Sequence, residues 1–284
     1  MNVYPGTLYL VATPIGNLQD ISSRAIETLK SVDIIACEDT RHTRKLLNFY
    51  AISGKLVSYH EHNEAARSVE LIYDLLAGSS VAIVSDAGTP AINDPGFVIV
   101  QKAIESGIEV VPIPGAAAFV TAIIASGLAT DSIFFGGFLP SRKGERRKRL
   151  QEVVAIPATL IFYESPNRLV TSLTDCVEIL GNRKAAYARE LTKLHEEFIR
   201  GDLQSLARKN VGVLPKGEIV LMIDRQRDAA VAEKPLAMFV ARVREIEALG
   251  ADPKAALKQA AREFRVSKSE AYRRVQAEKD LEKH

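Results

Sequence analysis

Short runs of apolar, often β-branched residues alternate with amphipathic stretches along the first 115 residues. Apolar runs of about four to eight residues bounded by Gly, Pro or Asp predict buried strands, whereas apolar residues spaced three and four apart predict helices. The predicted strands span 7–12, 33–37, 55–59, 81–84 and 109–112. The predicted helices span 24–30, 41–50, 64–76 and 97–105. Strands that alternate with helices predict a mostly parallel sheet with helices on its faces.

A second set of strand and helix patterns occupies residues 119–224. The predicted strands span 133–138, 159–163, 185–189, 196–200 and 218–223, and the predicted helices span 143–153, 168–180 and 202–209. Residues 116–125 are apolar on all sides, which predicts a buried helix. Because no flexible stretch separates the two sets, we expect an α/β fold of two packed lobes, 1–118 and 119–224, with a cleft between them.

The last fifty residues differ in character, because they are rich in Ala, Lys, Arg and Glu. The polar stretch 225–234 predicts a linker that leads into a helical tail, 235–284. Gly250 predicts the end of a first helix and Asp252 the cap of a second. Ser267, with Glu three residues later, predicts a capping box for a third helix. Two helices joined by a turn of about three residues predict a helix-turn-helix-like domain.

Three loops that follow predicted strands are rich in Gly, Pro and small residues: 13–17, 85–96 and 114–118. In open α/β sheets, ligands bind outside the carboxyl ends of the strands. Together the loops therefore predict one shared pocket, although each alone is better explained as a turn between a strand and a helix.

Composition narrows the class of protein. The 284 residues are 47% hydrophobic and 25% charged, which argues against global disorder, and the net charge of +2 means that any nucleic-acid surface is local. The two cysteines, Cys37 and Cys176, lie too far apart for a metal motif and predict buried, reduced thiols. His60 and His62 are better explained as a surface pair, so we expect no metal. Neither a signal-peptide pattern nor a membrane-spanning run is present, which predicts a cytoplasmic protein.

Several ordered sequence blocks resemble one known family. The blocks are LVATPIGNL at 10–18, CEDTR at 37–41, SDAGTP at 85–90, PIPG at 112–115, FYESPNR at 162–168, ARELTK at 188–193 and GEIV at 217–220. They are similar to the tetrapyrrole methylase-like methyltransferases and, within them, to the group that 2′-O-methylates a cytidine of 16S rRNA in the small ribosomal subunit. The resemblance covers residues 6–224 and implies the two-lobed fold. The chain has no G-x-G-x-x-G, so it does not resemble a Rossmann-type methyltransferase.

The resemblance implies that S-adenosyl-L-methionine binds in the cleft. It assigns the donor to residues at the strand ends and in the second lobe: Pro14, Ser85, Asp86, Gly88, Ile92, Ala117, Ala118, Phe162, Tyr163 and Ala188. Many family members carry Ser or Thr at the position of Ala117, so here only a backbone contact is inferred. An alternative role for Asp86 is that of an Asx-turn acceptor or helix cap.

A ribose 2′-hydroxyl is a weak acid, so its methylation gains from a nearby base or from a cation that stabilises the developing alkoxide. The candidate bases are Glu38, Glu164 and Glu190, and the candidate cations are Arg41, Arg168 and Lys193. Each carboxylate lies beside a basic residue at a predicted strand end. The alternative is that these residues form structural ion pairs.

Six basic residues and one acidic residue occupy positions 142–149, a density that favours phosphate contact over an ordinary solvated helix face. With the tail, the predicted RNA-binding residues are Arg142, Lys143, Arg146, Arg147, Arg149, Lys268, Arg273 and Arg274. The resemblance implies 16S rRNA or the small subunit as partner, and a homodimer, with no membrane and no DNA. Methylation of a precorrin- or sirohaem-type tetrapyrrole, or a non-catalytic ribosome-binding module, stays open as an alternative.

Overall fold

The computed structural model describes residues 3–212, 217–226, 236–264, 266, 271–273 and 275. By its internal contacts the chain divides into two units, 1–225 and 226–284. The predicted boundaries at 118 and at the linker stay predictions.

The first sheet is entirely parallel. Its strands are β1 (Thr7–Val11), β2 (Ile34–Cys37), β3 (Lys55–Ser58), β4 (Val81–Val84) and β5 (Glu109–Ile113), in the order β3-β2-β4-β1-β5. The helices that follow the first four strands are α1 (Ser23–Ser31), α2 (Thr40–Phe49), α3 (Glu64–Leu76) and α4 (Phe97–Glu105). Alternate strand residues enter two cores, so that Leu8 packs with α3 and α4 while Tyr9 packs with α1 and α2.

The second sheet is mixed. Its strands are β6 (Ile133–Phe138), β7 (Thr159–Glu164), β8 (Lys184–Arg189), β9 (Glu197–Asp202) and β10 (Ile219–Ile223), in the order β6-β7-β10-β8-β9. Only β6 and β7 are parallel, and β10 runs antiparallel to both of its neighbours. The first residues of β10 therefore lie beside the last residues of β7 and β8.

Helices cover both faces of the second sheet. The helices α6 (Lys143–Val153), α7 (Leu169–Leu180) and α8 (Leu203–Lys209) share a core with one face, and α5 (Ala118–Ser126) packs on the other. The prediction that the apolar helix near 116–125 is buried on all sides is wrong, because Val120 is 43% and Ile124 73% exposed. Only its Ala122 and Ile123 face belongs to the core.

The second unit contains α9 (Leu236–Ala248) and α10 (Pro253–Glu263). Gly250, with φ of +94°, follows α9, and the Asp252 carboxylate accepts from the Lys254 and Ala255 amides as predicted for the cap of α10. An apolar cluster that includes Phe239 and Leu257 joins the two helices. Residues 271–273 are helical, but the predicted capping box at Ser267 lies outside the described residues.

Each predicted strand and each predicted helix of residues 6–224 is present, with ends that differ by at most two residues. Both cysteines are buried free thiols, as predicted.

Candidate active site

The three Gly- and Pro-rich loops meet at the carboxyl ends of β1, β4 and β5. The Thr13 amide donates to the Gly88 carbonyl at 2.8 Å, and the Gly88 amide returns a bond to the Thr13 carbonyl at 3.1 Å. The Thr89 hydroxyl donates to the Ala116 carbonyl at 3.1 Å. These bonds fasten the loop after β4 to the loop after β1, which is its neighbour in the sheet, and to the loop after β5 beyond it, so the three predicted loops surround one opening.

Gly88 is required by this arrangement. Its φ is +89°, a value that favours glycine, and a Cβ there would lie 3.3 Å from Cγ2 of Ile15. The glycine lets the backbone turn while it still pairs with Thr13.

A cavity of about 250 Å³ lies at this opening. Its walls come from the first-sheet loops and from the ends of β7 and β10: Ile15, Glu38, Asp86, Ala87, Gly88, Thr89, Ile92, Asn93, Asp94, Ala117, Ala118, Phe119, Phe138, Tyr163, Glu218, Ile219 and Val220. A second cavity of about 480 Å³ shares Ile15, Asp86, Ala87 and Glu218 with it. The two are named the donor cavity and the outer cavity below, and their shared walls make them one cleft.

The donor cavity is acidic. Four carboxylates, those of Glu38, Asp86, Asp94 and Glu218, line it, and none of the described lining residues is basic. Burial raises the pKa of Asp94 to about 6, and the negative charges of Glu38 and Asp86 act in the same direction. Burial and the Asp86 charge also raise the pKa of Glu38. The cavity therefore favours a ligand that carries positive charge.

One wall of the donor cavity is aromatic. Phe119, Phe138 and Tyr163 line it, and the Tyr163 ring packs edge-on against Phe138 with ring centres 5.3 Å apart. Burial raises the pKa of Tyr163 to about 12, so its hydroxyl stays protonated at neutral pH. Such a wall suits a flat heterocycle.

Backbone amides at the start of α5 form another part of the wall. Ala117 is the N-cap of α5, and its side chain offers no oxygen to the free amides of the first turn. Ala117 and Ala118 both line the donor cavity, so these amides are available to an anionic group.

Most of the residues predicted to bind the donor line the cleft. Asp86, Gly88, Ile92, Ala117, Ala118 and Tyr163 line the donor cavity, and Pro14 and Asp86 line the outer cavity. Asp86 also accepts from the Asp39 amide at 3.2 Å, a bond between residues 47 apart that joins the loop after β4 to the N-cap of α2 and is neither an Asx turn nor a helix cap of Asp86.

Three of the predicted donor-binding residues do not line either cavity. Ser85 is buried behind the loop, where its hydroxyl donates to the Gly88 carbonyl at 3.1 Å. Phe162 is corrected to a core residue, because alternate residues of a strand face opposite ways and Tyr163 is the one that faces the cleft. Ala188 is fully buried against α5.

Glu38 is the one predicted base that lines the donor cavity. Glu164 is 1% exposed and its Oε1 lies 2.7 Å from Nη2 of Arg168, so this pair forms the structural ion pair given as the alternative. Glu164 also accepts from the Ser165 amide and the Ser172 hydroxyl. Its buried, fully bonded carboxylate is not placed to take a proton from a ligand in either cavity.

The other two predicted cations, Lys193 and Arg41, have different surroundings. Nζ of Lys193 is 2.9 Å from Oε1 of Glu190, and Lys193 lines the outer cavity. Arg41 is on the surface and pairs with Asp39 at 2.9 Å. Hydrogen bonds from Arg41 hold the pKa of the Asp39 carboxyl at about 2.

The basic run at 142–149 forms the start of α6, and its arginines are engaged by carboxylates. Arg142 pairs with Glu145 at 3.2 Å, Arg149 pairs with Glu152 at 3.2 Å, and Arg147 pairs with both Asp175 and Glu178. Lys143 is exposed. The negative partners offset much of the positive charge on which the phosphate-binding prediction depends.

Arg146 requires a correction. It is 4% exposed, its Nη2 lies 2.7 Å from Oδ2 of Asp175, and its Nη1 donates to the Ser141 carbonyl at 3.1 Å. A guanidinium buried in this way is not accessible to RNA. In the tail, Arg273 is exposed on helical backbone, while Lys268 and Arg274 lie outside the described residues.

The described part of the chain has neither a metal-binding cluster nor a membrane-spanning helix. It contains no group of three or more His, Cys, Asp or Glu side chains that would hold a metal ion. None of its helices is long and apolar enough to cross a membrane.

Asp94 and Glu218 were not predicted as site residues. Asp94 belongs to the same Gly- and Pro-rich loop after β4 as Asp86, and this shared loop could have indicated Asp94 as a site residue. Glu218 reaches the cavity only because β10 runs antiparallel to β7, a direction that the hydrophobic pattern does not specify.

Known families and proteins resemble the chain over most of its length. The family model described as Tetrapyrrole (Corrin/Porphyrin) Methylases matches residues 7–207. A Halalkalibacterium halodurans protein named ribosomal RNA small subunit methyltransferase I is 51% identical over 270 residues, which cover 94% of this chain and 93% of the relative. A Mesorhizobium japonicum protein of the same name is 54% identical over 218 residues, which cover 76% of this chain and 74% of the relative.

Solved structures share the fold. A diphthine synthase has a TM-score of 0.61 at 14% identity, covering 78% of this chain and 91% of its own. A uroporphyrin-III C-methyltransferase from Thermus thermophilus, complexed with S-adenosylhomocysteine, has a TM-score of 0.55 at 18% identity, covering 76% of this chain and 96% of its own.

Proposed function

Because the chain belongs to the tetrapyrrole methylase family, we propose that it transfers a methyl group from S-adenosylmethionine to the 2′-hydroxyl of a cytidine in 16S rRNA of the small ribosomal subunit. The name shared by the relatives supports a ribosomal RNA acceptor over a tetrapyrrole. The observation that carries the proposal within the structure is the acidic donor cavity.

The residues present fit such a donor. S-adenosylmethionine supplies a methyl group bonded to a positively charged sulfur. The four carboxylates of the donor cavity suit that charge, the aromatic wall suits a purine ring, and the amides at the start of α5 suit a carboxylate. We assign donor binding to Pro14, Asp86, Gly88, Ile92, Ala117, Ala118 and Tyr163, and add Asp94 and Glu218.

The chain's own task is to align the acceptor hydroxyl and to accept its proton. Holding the reacting groups in line replaces an encounter in solution, which can supply about 7–11 kcal/mol of the barrier. Glu38 and Asp94 are the proposed proton acceptors, because both line the donor cavity and both have a raised pKa. Lys193 in the outer cavity is the proposed cation near the developing alkoxide.

The test is methyl transfer in vitro. Radiolabelled donor is incubated with small ribosomal subunits from cells that lack this protein, and the rRNA is digested to nucleosides. The expected result is label in 2′-O-methylcytidine. Label in another nucleoside would overturn the cytidine assignment, and binding of the donor without transfer would favour a tetrapyrrole acceptor.

A matched variant links the activity to the cleft. Asp86→Asn keeps the size of the side chain and the acceptor for the Asp39 amide but removes one of the four negative charges. We expect weaker donor binding by calorimetry together with slower transfer. Unchanged affinity would remove Asp86 from the donor site.

The homodimer and the cytoplasmic location also belong to the proposal. Large apolar side chains exposed on α4 and α5 support an interface between two copies: Phe97, Ile104, Val120 and Ile124. Light scattering of the wild-type protein and of Ile124→Glu measures this, and a monomeric wild-type protein would contradict it.

A further inference from the structure

The outer cavity has a different chemical character from the donor cavity. Beside the loop 13–18 it is lined by His42, Lys45, Leu46 and Phe49 of α2 and by Lys193. His42, Lys45 and Lys193 line the outer cavity alone, Glu38 and Asp94 line the donor cavity alone, and Asp86 and Glu218 line both. The basic residues of the cleft therefore line the outer cavity, and no described residue that lines the donor cavity is basic.

The exposed face of α2 is strongly basic. Arg41, His42, Arg44 and Lys45 occupy its first two turns, and no acidic residue occurs from Thr40 to Phe49. All four are exposed. Arg44 and Lys45 also line a shallow surface depression together with Thr40, Arg41 and Asn48.

The charges of Arg44 and Lys45 have different surroundings from those of the α6 arginines. Within the described residues neither side chain forms an ion pair, whereas the arginines of α6 pair with Glu145, Asp175, Glu178 and Glu152. Exposed cations that lack a carboxylate partner among the described residues attract a polyanion.

Phe49 adds an apolar platform beside these charges. It is 61% exposed at the end of α2, and its ring packs edge-on against Tyr50 with ring centres 4.9 Å apart. The Tyr50 hydroxyl donates to the Leu18 carbonyl, which fixes this aromatic pair to the loop that lines the outer cavity. An exposed aromatic ring beside basic residues is the arrangement that binds single-stranded nucleic acid, with a base stacked on the ring.

We propose that α2 is the docking surface for the acceptor RNA. A single-stranded segment lies along the helix, with phosphates against Arg44 and Lys45 and a base on Phe49, and the neighbouring ribose enters the outer cavity. This inference rests on the proposed function and specifies where its substrate is held. It assigns the main RNA contact to α2 in place of the arginines of α6.

The chain offers a matched control for the charges. Arg44 and Lys45 form an Arg-Lys pair exposed on α2, and Arg208 and Lys209 form the same pair exposed at the end of α8. Neither member of the second pair lines a described cavity near the cleft. R44A/K45A and R208A/K209A therefore remove the same charges from different places.

The experiment measures binding of a labelled single-stranded RNA oligonucleotide at several salt concentrations. Each lost phosphate contact on a single strand lowers the log–log salt slope by about 0.7, so R44A/K45A is expected to lower it by about 1.4. If the wild type and R44A/K45A bind RNA equally well at 1 M salt, this change in slope makes the affinity of the variant about 25-fold lower at about 0.1 M salt. R208A/K209A is expected to keep the wild-type slope.

Phe49→Ala tests the platform separately. Loss of one stacked base is expected to weaken RNA binding by about 5- to 150-fold without a change in the salt slope. Donor affinity, measured by calorimetry, is expected to stay at the wild-type value in both α2 variants. Thermal unfolding checks that the variants are folded.

The outcomes separate the two proposals. If the wild-type protein methylates small subunits while R44A/K45A and Phe49→Ala keep the wild-type affinity and slope, the docking surface is overturned and the proposed function stands. Equal losses in R44A/K45A and R208A/K209A would also overturn it, because the effect would then be one of net charge. A wild-type protein that neither binds RNA nor methylates it would overturn both.

Discussion

Substitution of Arg146 distinguishes two roles for the basic run at 142–149, which are RNA binding and stabilisation of the fold. Its side chain and that of Asp175 are 5% and 3% exposed, and its Nε and Nη2 lie 2.8 and 2.7 Å from Oδ2 of Asp175. Arg146→Ala leaves a buried carboxylate that has lost two charge-assisted hydrogen bonds. We expect this substitution to destabilise the protein rather than to weaken RNA binding directly.

The magnitude follows from the geometry of the pair. Removal of one partner of a buried ion pair costs about 3–5 kcal/mol. Because Nη1 of Arg147 remains 3.1 Å from Oδ1 of Asp175, one cation is retained and the expected loss is at the lower end, about 3 kcal/mol. That is a large share of the roughly 5–15 kcal/mol by which domains are stable.

Urea-induced unfolding followed by circular dichroism measures the loss. Lys148→Ala is the matched control, because Lys148 is an exposed basic residue on the same helix and is expected to change stability by less than about 0.5 kcal/mol. A second control, R146M/D175L, replaces both charges by apolar side chains and is expected to recover most of the loss. If Arg146→Ala unfolds like the wild type but binds RNA more weakly, the structural role is refuted.

Two further predictions concern the cleft. Asp94, with a pKa of about 6, gains its negative charge as pH rises through that value, so wild-type affinity for the cationic donor is expected to rise between about pH 5 and about pH 7, and calorimetry should find a flatter profile for Asp94→Asn. The raised pKa also means that the stability contributed by protonated Asp94 is present below about pH 4 and lost above about pH 6. At neutral pH and without donor, Asp94→Asn should therefore unfold at a temperature equal to or higher than that of the wild type. A lower unfolding temperature would contradict the raised pKa of Asp94. Gly88→Ala places a side chain at φ of +89°, so it is expected to lower the free energy of unfolding by about 1–2 kcal/mol and to weaken donor binding. Gly78→Ala, at φ of +95° with open space around it, should lower the free energy of unfolding without affecting donor binding. Equal donor affinity in the two glycine variants would exclude Gly88 from the donor site.

The positions of many elements could be predicted because strands such as β1, β4 and β10 are short apolar runs that are followed within three residues by Pro or Asp. The run at β4 and the loop that follows it are an example, since both the strand and the ligand-binding end of the sheet follow from the pattern. Helix caps such as Asp252 are equally local, because the side chain bonds to amides two and three residues away.

The faces of the second sheet could not be predicted in the same way. Helices cover both sides of it, so β7 is apolar at Phe162 as well as at Ile161, and no alternation of polar and apolar residues shows which set faces the cleft. Arg146 is a second example. Its partner Asp175 lies 29 residues further along the chain, so the local density of positive charge gave no sign that the guanidinium is buried.

The acidic lining of the donor cavity has a consequence for turnover. When a sulfonium gives up its methyl group, the sulfur that remains is neutral, so the carboxylates of Glu38, Asp86, Asp94 and Glu218 attract the spent molecule less strongly than the fresh one. The same charges that bring the substrate in thus favour exchange of the by-product. On the proposed function, the transfer step itself would thus lower the affinity of the cavity for the molecule that has reacted.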